Sequence, residues 1–464
     1  KQNNQNIYLV GGAIRDFLLE RNFVDLDFVV TKNVLYIANR FAKEFNSRVI
    51  VLDDVNRIYR IVVDKQAKSL TVDFSLMRGR DIYKDLSKRD FTINAIAVPI
   101  TDFTYDISHI GRNLIDPYNG RLDIAKRIIK HISDRNLVDD PLRLLRAYRL
   151  KAELKFNISP KTKKVIKKYS SLISKPAKER IRDELIKIFQ SEDSYSNVNE
   201  LDKQKLFEKI FPEIKRVKRS AKKHYFHPQG LWQHSKLTLK SLERILSNPE
   251  RFLSQEIISK TLKHISNRIY LMKLIALFHD ISKPEAVKKI SGRTRFFGHE
   301  TSSAKQIVKI LTRLHFSMKD IQIAENIVKN HMRPGSLAQS KILTQKALFR
   351  FFRDLGDESV DLLIISLADR MSYVGISTNQ KEIEKHKKFV CKLIEKFFEH
   401  KEKQSRPKLV DGYIVMNKFG LSPGPIIGAI LKLVEENQAI GKINSEQEAI
   451  ELIEKHLPKL KKKF

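Results

Sequence analysis

Two aspartates one residue apart, Asp25 and Asp27, open the apolar run Asp25-Leu26-Asp27-Phe28-Val29-Val30. Alternate side chains of a strand share a face, so the two carboxylates aim at one point. Paired carboxylates hold Mg²⁺, the usual companion of a nucleoside triphosphate. Ahead of them, Tyr8-Leu9-Val10 runs into Gly11-Gly12 and then Ala13-Ile14-Arg15-Asp16. The glycine pair bares backbone N–H groups at a helix start, where a phosphate can approach. Either piece alone fits a turn with surface aspartates. At this spacing the two together point to nucleotidyl transfer.

A second group follows: Arg78, then Lys88-Arg89-Asp90-Phe91-Thr92-Ile93-Asn94-Ala95. Arginine forks onto phosphate oxygens and asparagine can bond a ribose hydroxyl, so both suit a triphosphate beside a metal. Asp73, in the alternating Val72-Asp73-Phe74, is a candidate third acidic group near the metals. A third group is Asp139-Asp140-Pro141-Leu142-Arg143-Leu144-Leu145-Arg146. Pro141 suits a first helical turn, which makes one aspartate an N-cap. A cap accounts for one acid but not for the ordered arginines. Residues 140 and 143 lie on one helix face. There, Asp accepts from an exocyclic amino group while Arg donates to ring nitrogen or carbonyl. That order fits cytosine and, after a small movement of Arg143, adenine. Guanine and uracil would leave buried groups unpaired.

These groups need a scaffold. Strands are expected at Ile7–Val10, Leu26–Val30, Arg48–Leu52, Ile58–Val63 and Leu70–Phe74, with helices near Ala13–Leu19 and Val34–Phe45, giving a small α/β module from about 7 to 125 that contains all the strands. Beyond Asp123, apolar residues recur at three- and four-residue intervals and the chain reads as helical. Polar, breaker-rich joints are expected at Ser191–Asn199, Lys218–Pro228 and Glu402–Lys408.

Composition narrows the partners. The chain has 464 residues, too many for one core, and a formal charge of +34. Such an excess of Lys and Arg, without matching Glu, suits a polyanion, nucleic acid first. Cys391 is the only cysteine, which excludes an intrachain disulfide and a thiolate metal cage. The longest apolar run, Leu271 to Phe278, is too short to span a membrane, and the polar start is no signal peptide. A soluble cytoplasmic protein without membrane partners is expected.

The ordered motifs resemble those of the class II tRNA nucleotidyltransferases, which build the 3′ CCA end of tRNA and share their core with bacterial poly(A) polymerases. Gly-Gly-Ala-Ile-Arg-Asp with Asp-Leu-Asp, Arg-Asp-Phe-Thr-Ile-Asn-Ala, Asp-Asp-Pro-Leu-Arg and Glu179-Arg180-Ile181-Arg182-Asp183-Glu184-Leu185 look like motifs A, B, D and E, and Asp116-Pro117-Tyr118-Asn119-Gly120 with Leu122-Asp123 like motif C. The implied fold is α+β. A small mixed-sheet head of the DNA polymerase β superfamily type covers 1–125, and a helical neck recognising the base covers 126–215. An HD domain at 220–400 and a helical tRNA-binding tail at 405–464 complete it. The resemblance implies that Asp25 and Asp27 hold two catalytic Mg²⁺ ions. It implies further that Gly11, Gly12 and Arg15 meet the triphosphate, and that Arg89, Asp90 and Asn94 fix ribose and phosphates. Asp140 and Arg143, with Arg146 nearby, would be a protein template for CTP or ATP. The Glu179–Leu185 motif would brace the neck.

A second constellation comprises His234, Phe278-His279-Asp280-Ile281-Ser282-Lys283, Gly298-His299-Glu300, His331 and Ala368-Asp369-Arg370. His and Asp suit Mg²⁺, Mn²⁺, Ni²⁺ or Fe. It resembles the HD metal-dependent phosphohydrolase domain, with His234, His279, Asp280 and Asp369 at the ligand positions and His299 and His331 extending the site to a second metal. Ser282 replaces a usual glycine and leaves the ligands in place. In the tail, Gly424-Pro425 can open a helix facing phosphate. It resembles the tail that grips the tRNA elbow in HD-bearing transferases.

Enzymes of this class that add A carry a flexible loop before the Arg-Asp-Phe-Thr motif. Here only Gly79-Arg80-Asp81-Ile82-Tyr83-Lys84-Asp85 stands there, which favours CC addition over the complete triplet. Two rivals are a poly(A) polymerase and an HD phosphohydrolase or RNA-binding protein with a degenerate transferase half. Arg57-Ile58-Tyr59-Arg60-Ile61-Val62 is not the Arg-Phe-rich strand of the first, and intact Asp25, Asp27, Asp140 and Arg143 argue against the second.

Overall fold

A computed structural model describes residues 6–22, 25–65, 68–100, 114–220, 229–290, 293–340, 342–373, 379–403, 409–439 and 441–461. The chain divides into two compact units, Lys1–Pro212 and Glu213–Phe464.

The first unit is built on a six-stranded mixed sheet in the order β3-β4-β5-β2-β1-β6. The strands are β1 (Ile7–Val10), β2 (Asp25–Val30), β3 (Val49–Asp53), β4 (Ile58–Lys65), β5 (Lys68–Leu76) and β6 (Ala97–Pro99). β2 lies parallel to β5 and antiparallel to β1, and the β5–β2 pair forms the centre of the sheet. One face packs on helix α2 (Val34–Glu44), where Val34, Ala38 and Ala42 meet Val30, Ile61, Val72 and Phe74. Small side chains at four-residue spacing let that helix approach closely. On the opposite face, Val10 and Val29 pack with Ile82 and Leu86 of helix α3 (Ile82–Ser87). Asp25 and Asp27 share Val29's face by the alternation of β2, so they open towards α3 and the 3₁₀ turn Thr92–Asn94.

Asp116 accepts from the backbone of Gly120 and Arg121 (2.7 and 2.9 Å), and a Cβ on Gly120 would lie 2.3 Å from the Thr92 carbonyl. The segment after Asp116 thus braces that 3₁₀ turn from behind. The helices Arg143–Leu154 and Lys178–Gln190 follow, joined by the pair Arg149–Glu184 at 3.1 Å.

Two expectations are corrected. Ser191–Asn199 is no joint, because it opens the helix Ser194–Lys203, whose Ser194, Asn197, Val198 and Leu201 are buried. Strands also occur outside the first 125 residues: β7 (Ile128–Ile129) with β8 (Asn157–Ile158), and the hairpin of β9 (Val287–Ile290) and β10 (Arg293–Phe296). Parts of the other expected joints, 221–228 and 404–408, lie outside the described residues.

Among the described residues, the second unit is helical apart from that hairpin. Its C-terminal helices Gly412–Phe419, Pro425–Ala439 and Glu446–Lys461 share a core of Val415, Ile430, Val434 and Ile453. Pro425 is the first residue of its helix, as expected. Glu436 accepts from Arg350 (2.8 and 3.0 Å) and Arg353 (2.9 Å), tying this bundle to the helix Gln345–Leu355. Among the described residues, no helix is long and apolar enough to cross a membrane.

Candidate nucleotide-transfer and metal sites

Gly11 caps helix α1 (Gly12–Leu18) with φ +78°, a conformation that favours glycine. A Cβ there would lie 3.0 Å from Arg89 Nη1 and 3.4 Å from Asp27 Oδ2, so its absence lets Arg89 and the Asp27 carboxylate stand together. Asp85, buried in α3, accepts from Arg89 Nε and Nη2 (3.2 Å each) and from the Arg78 backbone (2.9 Å), holding that guanidinium over Gly11. Burial pushes the Asp27 carboxyl above the usual range; Asp73 and Asp25 add to this, and Arg89 and Arg146 oppose it. A carboxylate crowded by two others fits a site that takes a cation.

Asp73 stands beside Asp27 in the register of β2 and β5. Its carboxylate is taken by Arg60, which donates from Nε and Nη2 at 2.8 and 2.7 Å. The structure therefore leaves Asp25 and Asp27 as the open pair, with Asp73 as an electrostatic neighbour.

Arg15, Asn94, Asp90 and Arg146 form one connected chain. Arg15 donates to Asp16 (3.0 and 2.8 Å) and to Asn94 Oδ1 (2.6 Å). Asn94 Nδ2 donates to Asp90 (3.1 Å), and Arg146 Nε lies 2.9 Å from Asp90 Oδ2. Burial would push the Asp90 carboxyl up, but Arg146, Asn94 and Arg143 outweigh it and hold it below the usual range. The charges of Asp90 first, then of Glu184, Asp27 and Asp140, favour the charged form of Arg146 against its burial.

The Asp140 side chain is not an N-cap. The helix Arg143–Leu154 begins after Leu142 without a side-chain cap, and Asp140 is extended (φ −129°, ψ 91°). Arg143 Nε stands 3.8 Å from Asp140 Oδ2. Its Nη1 donates to the backbone carbonyls of Lys88 (2.9 Å) and Asn136 (3.2 Å). The Asn136 side chain in turn donates to the Ser87 and Arg89 carbonyls (2.8 and 2.7 Å). Beside Arg143 opens a cavity of about 530 Å³ whose charged lining is Arg78, Lys84, Lys88, Arg135, Arg143 and Asp139. Five cations against one acid suit a polyphosphate or an RNA end.

In the second unit, five helices bring the remaining ligand candidates together. His234 belongs to Leu231–Ser247, and His279 and Asp280 follow Ile269–Phe278. His299 opens His299–Arg313, His331 follows Met318–Asn330, and Asp369 belongs to Glu358–Met371. Two groups have ligand atoms within 4.8 Å of one another: His234, His279 and Asp369, and Asp280, His299 and His331. Asp280 spans them. Its Oδ2 faces His234 (3.4 Å) and His279 (3.2 Å), and its Oδ1 faces His299 (3.3 Å) and His331 (3.5 Å). Each imidazole is aimed inward by a bond on Nδ1, to Ala276 O (3.0 Å), Phe296 O (2.6 Å), Val328 O (2.6 Å) or Ser372 Oγ (2.9 Å). Such outer bonds fix the ring and its tautomer for metal binding.

His279 Nε2, both Asp280 oxygens and Asp369 Oδ1 are buried without well-formed hydrogen bonds. Buried polar atoms are costly in that state, so the set fits divalent metal. Burial lowers the affinity of His279 for its proton, yet Asp280 and Asp369 raise it to about 10. Lys283 Nζ, 2.5 Å from Asp280, adds a cation next to the site.

The family model of the poly A polymerase head domain matches residues 7–130, that of the probable RNA- and SrmB-binding site of polymerase A matches 155–218, and that of the HD domain matches 231–374. In domain content the chain is similar to the poly(A) polymerases and tRNA nucleotidyltransferases. One relative is the A-adding tRNA nucleotidyltransferase of Deinococcus radiodurans, 29% identical over 95% of this chain and 93% of that protein. Another is the CC-adding tRNA nucleotidyltransferase of Synechocystis sp., 28% identical over 95% and 91%. In fold the chain is similar to a CCA-adding enzyme solved with ATP (TM-score 0.65, 19% identity, 98% of this chain and 92% of that one). A Thermotoga maritima CCA-adding enzyme complexed with tRNA is similar too (TM-score 0.61, 19% identity, 98% and 92%).

Sequence reasoning missed Asp85, Arg60, Asn136 and Arg180, which act by holding the named residues. Only Asp85 had a legible signal, its four-residue spacing from Arg89.

Proposed function

We propose that this chain adds cytidine to the 3′ end of tRNA from CTP, with amino acids in place of a template strand. The observation that carries the reading is the Asp140–Arg143 pair at the start of the helical segment that carries Arg146, which through Asp90 and Asn94 connects to Arg15 in the helix that Gly11 caps. Relatives that add A and relatives that add CC match over nearly the same length, so the nucleotide choice is argued from the site.

In the reaction the tRNA 3′-oxygen bonds to the α-phosphorus of CTP. The α–β phosphoanhydride bond breaks, pyrophosphate leaves and the hydroxyl proton passes to solvent. Asp25 and Asp27 would hold Mg²⁺, which supplies charge neutralisation and a more acidic hydroxyl when bound. Arg89, kept over Gly11 by Asp85, faces the triphosphate. Asp140 accepts from the cytosine amino group, and Arg143 donates to N3 and O2. Uracil would set its O4 against the carboxylate. The strongly basic chain suits tRNA in a cytoplasmic setting.

Asp140→Ala is expected to let UTP compete. Discrimination should fall by roughly 1–3 kcal/mol, the usual worth of one base-reading pair. Steady-state kcat/KM for CTP and UTP on the same tRNA checks it. An unchanged ratio would reduce the pair to a structural contact.

For the second unit, we infer hydrolysis of phosphate esters, cyclic phosphates or monoesters, at the His–Asp cluster. Asp280, shared between two histidine pairs, supports it, with His299 and His331 serving a second metal. The double variant His279→Ala, Asp280→Ala should lose hydrolysis of a 2′,3′-cyclic nucleotide while keeping nucleotide addition. Wild-type protein inert with Mg²⁺, Mn²⁺, Ni²⁺ and Fe²⁺ would contradict a catalytic role.

A further inference from the structure

Asp140 is not held by Arg143 alone. Arg180, in the first turn of the helix Lys178–Gln190, donates from Nη2 to Asp140 Oδ2 at 3.2 Å, the oxygen that Arg143 Nε faces at 3.8 Å. Both charged contacts of Asp140 among the described residues fall on that one oxygen, which leaves Oδ1 open. We propose that Arg180 is a specificity-determining positioning residue, fixing the Asp140 carboxylate so that Oδ1 meets the amino group of the incoming base. This rests on the base-reading role of Asp140 proposed above.

Nothing else in the local backbone fixes that carboxylate. Asp140 lies in extended conformation between two helices and caps neither with its side chain. The Arg180 and Asp140 side chains are 55% and 33% exposed, and ion pairs so exposed add little to stability. The consequence of the contact is therefore geometric. A carboxylate pinned at Oδ2 cannot swing away from O4 of uracil, so the wrong base meets an unrelieved repulsion. Released, it can rotate out and tolerate uracil, while cytosine still draws it into place. Arg180 thus acts on rejection of UTP more than on acceptance of CTP. The contact gives the Glu179–Leu185 segment a part in base selection beyond bracing.

The test measures kcat and KM for CTP and UTP on one tRNA ending at the discriminator base. It compares wild type, Arg180→Ala, Arg180→Lys, Asp140→Ala and the Arg180→Ala, Asp140→Ala double variant. Arg180→Ala should narrow the CTP-to-UTP ratio roughly three- to tenfold, the scale of coupling between neighbours in contact. The change should come chiefly from a lower KM for UTP, and Arg180→Lys should restore part of the ratio. In the Asp140→Ala background, loss of Arg180 should leave the ratio unaltered. A wild-type ratio in Arg180→Ala beside a collapsed one in Asp140→Ala would overturn the inference and spare the base-reading role. An equal loss for both nucleotides through a raised KM for tRNA would also overturn it, marking Arg180 as an RNA phosphate ligand. If Asp140→Ala itself keeps the ratio, the base-reading role falls, and this inference with it.

Discussion

Asp25→Ala and Asp27→Ala should each cut single-turnover nucleotide addition by about 10³-fold or more while leaving tRNA affinity within about twofold. The loss follows from removing a ligand to the metals that neutralise charge in the transition state, worth several kcal/mol. The retained affinity follows from where the positive charge resides. The chain carries 88 Lys and Arg against 54 Asp and Glu, and binding to RNA is dominated by phosphate contacts spread over a surface. Incorporation of labelled CTP and a filter-binding isotherm at fixed salt separate the two effects. Normal incorporation by both variants would remove the metal assignment.

A tRNA that already ends in CC should accept ATP at least about 100-fold more slowly than a tRNA ending at the discriminator base accepts CTP. The seven residues Gly79–Asp85 form no free loop. Asp81 caps α3 by accepting from Lys84 N (2.7 Å), Ile82 and Leu86 are buried, and Asp85 grips Arg89 and the Arg78 backbone. Three residues further on, the Lys88 carbonyl holds Arg143. Arg143 must leave that carbonyl and the one on Asn136 to read adenine. Hydrogen bonds from a charged group contribute about 1.5–3 kcal/mol each, so their loss accounts for a factor of this size. Grafting a longer flexible segment between Gly79 and Asp85 should recover part of the A addition. Efficient conversion of CC ends to CCA by the unaltered chain would show that the length of this segment does not set the nucleotide choice.

Much of the head was legible because its signals are local. β1 begins and ends where alternation and the glycine pair placed it, and the Asp25-Leu26-Asp27 spacing put both carboxylates on one sheet face. The α3 segment read as a short loop because six helical residues give almost no periodicity. The hairpin of β9 and β10 was missed because Val287-Lys288-Lys289-Ile290 is exposed along its length and lacks the half-buried alternation of a core strand. The residues that hold the site were hidden for a different reason. Arg60 meets Asp73 only through the register of β4 and β5, and Arg180 meets Asp140 across forty residues of chain. In the HD cluster the residue types were readable, but the sharing of Asp280 between two histidine pairs required the packing of five helices.

Incubation of the chain with α-labelled CTP, Mg²⁺ and a tRNA ending at the discriminator base, next to an unrelated RNA and next to ATP alone, tests the central claim most directly. The expected result is rapid addition of two cytidines to the tRNA with one pyrophosphate released per cytidine, and neither labelling of the unrelated RNA nor a run of adenosines. Absence of incorporation, or open-ended adenosine tailing of both RNAs, would contradict it.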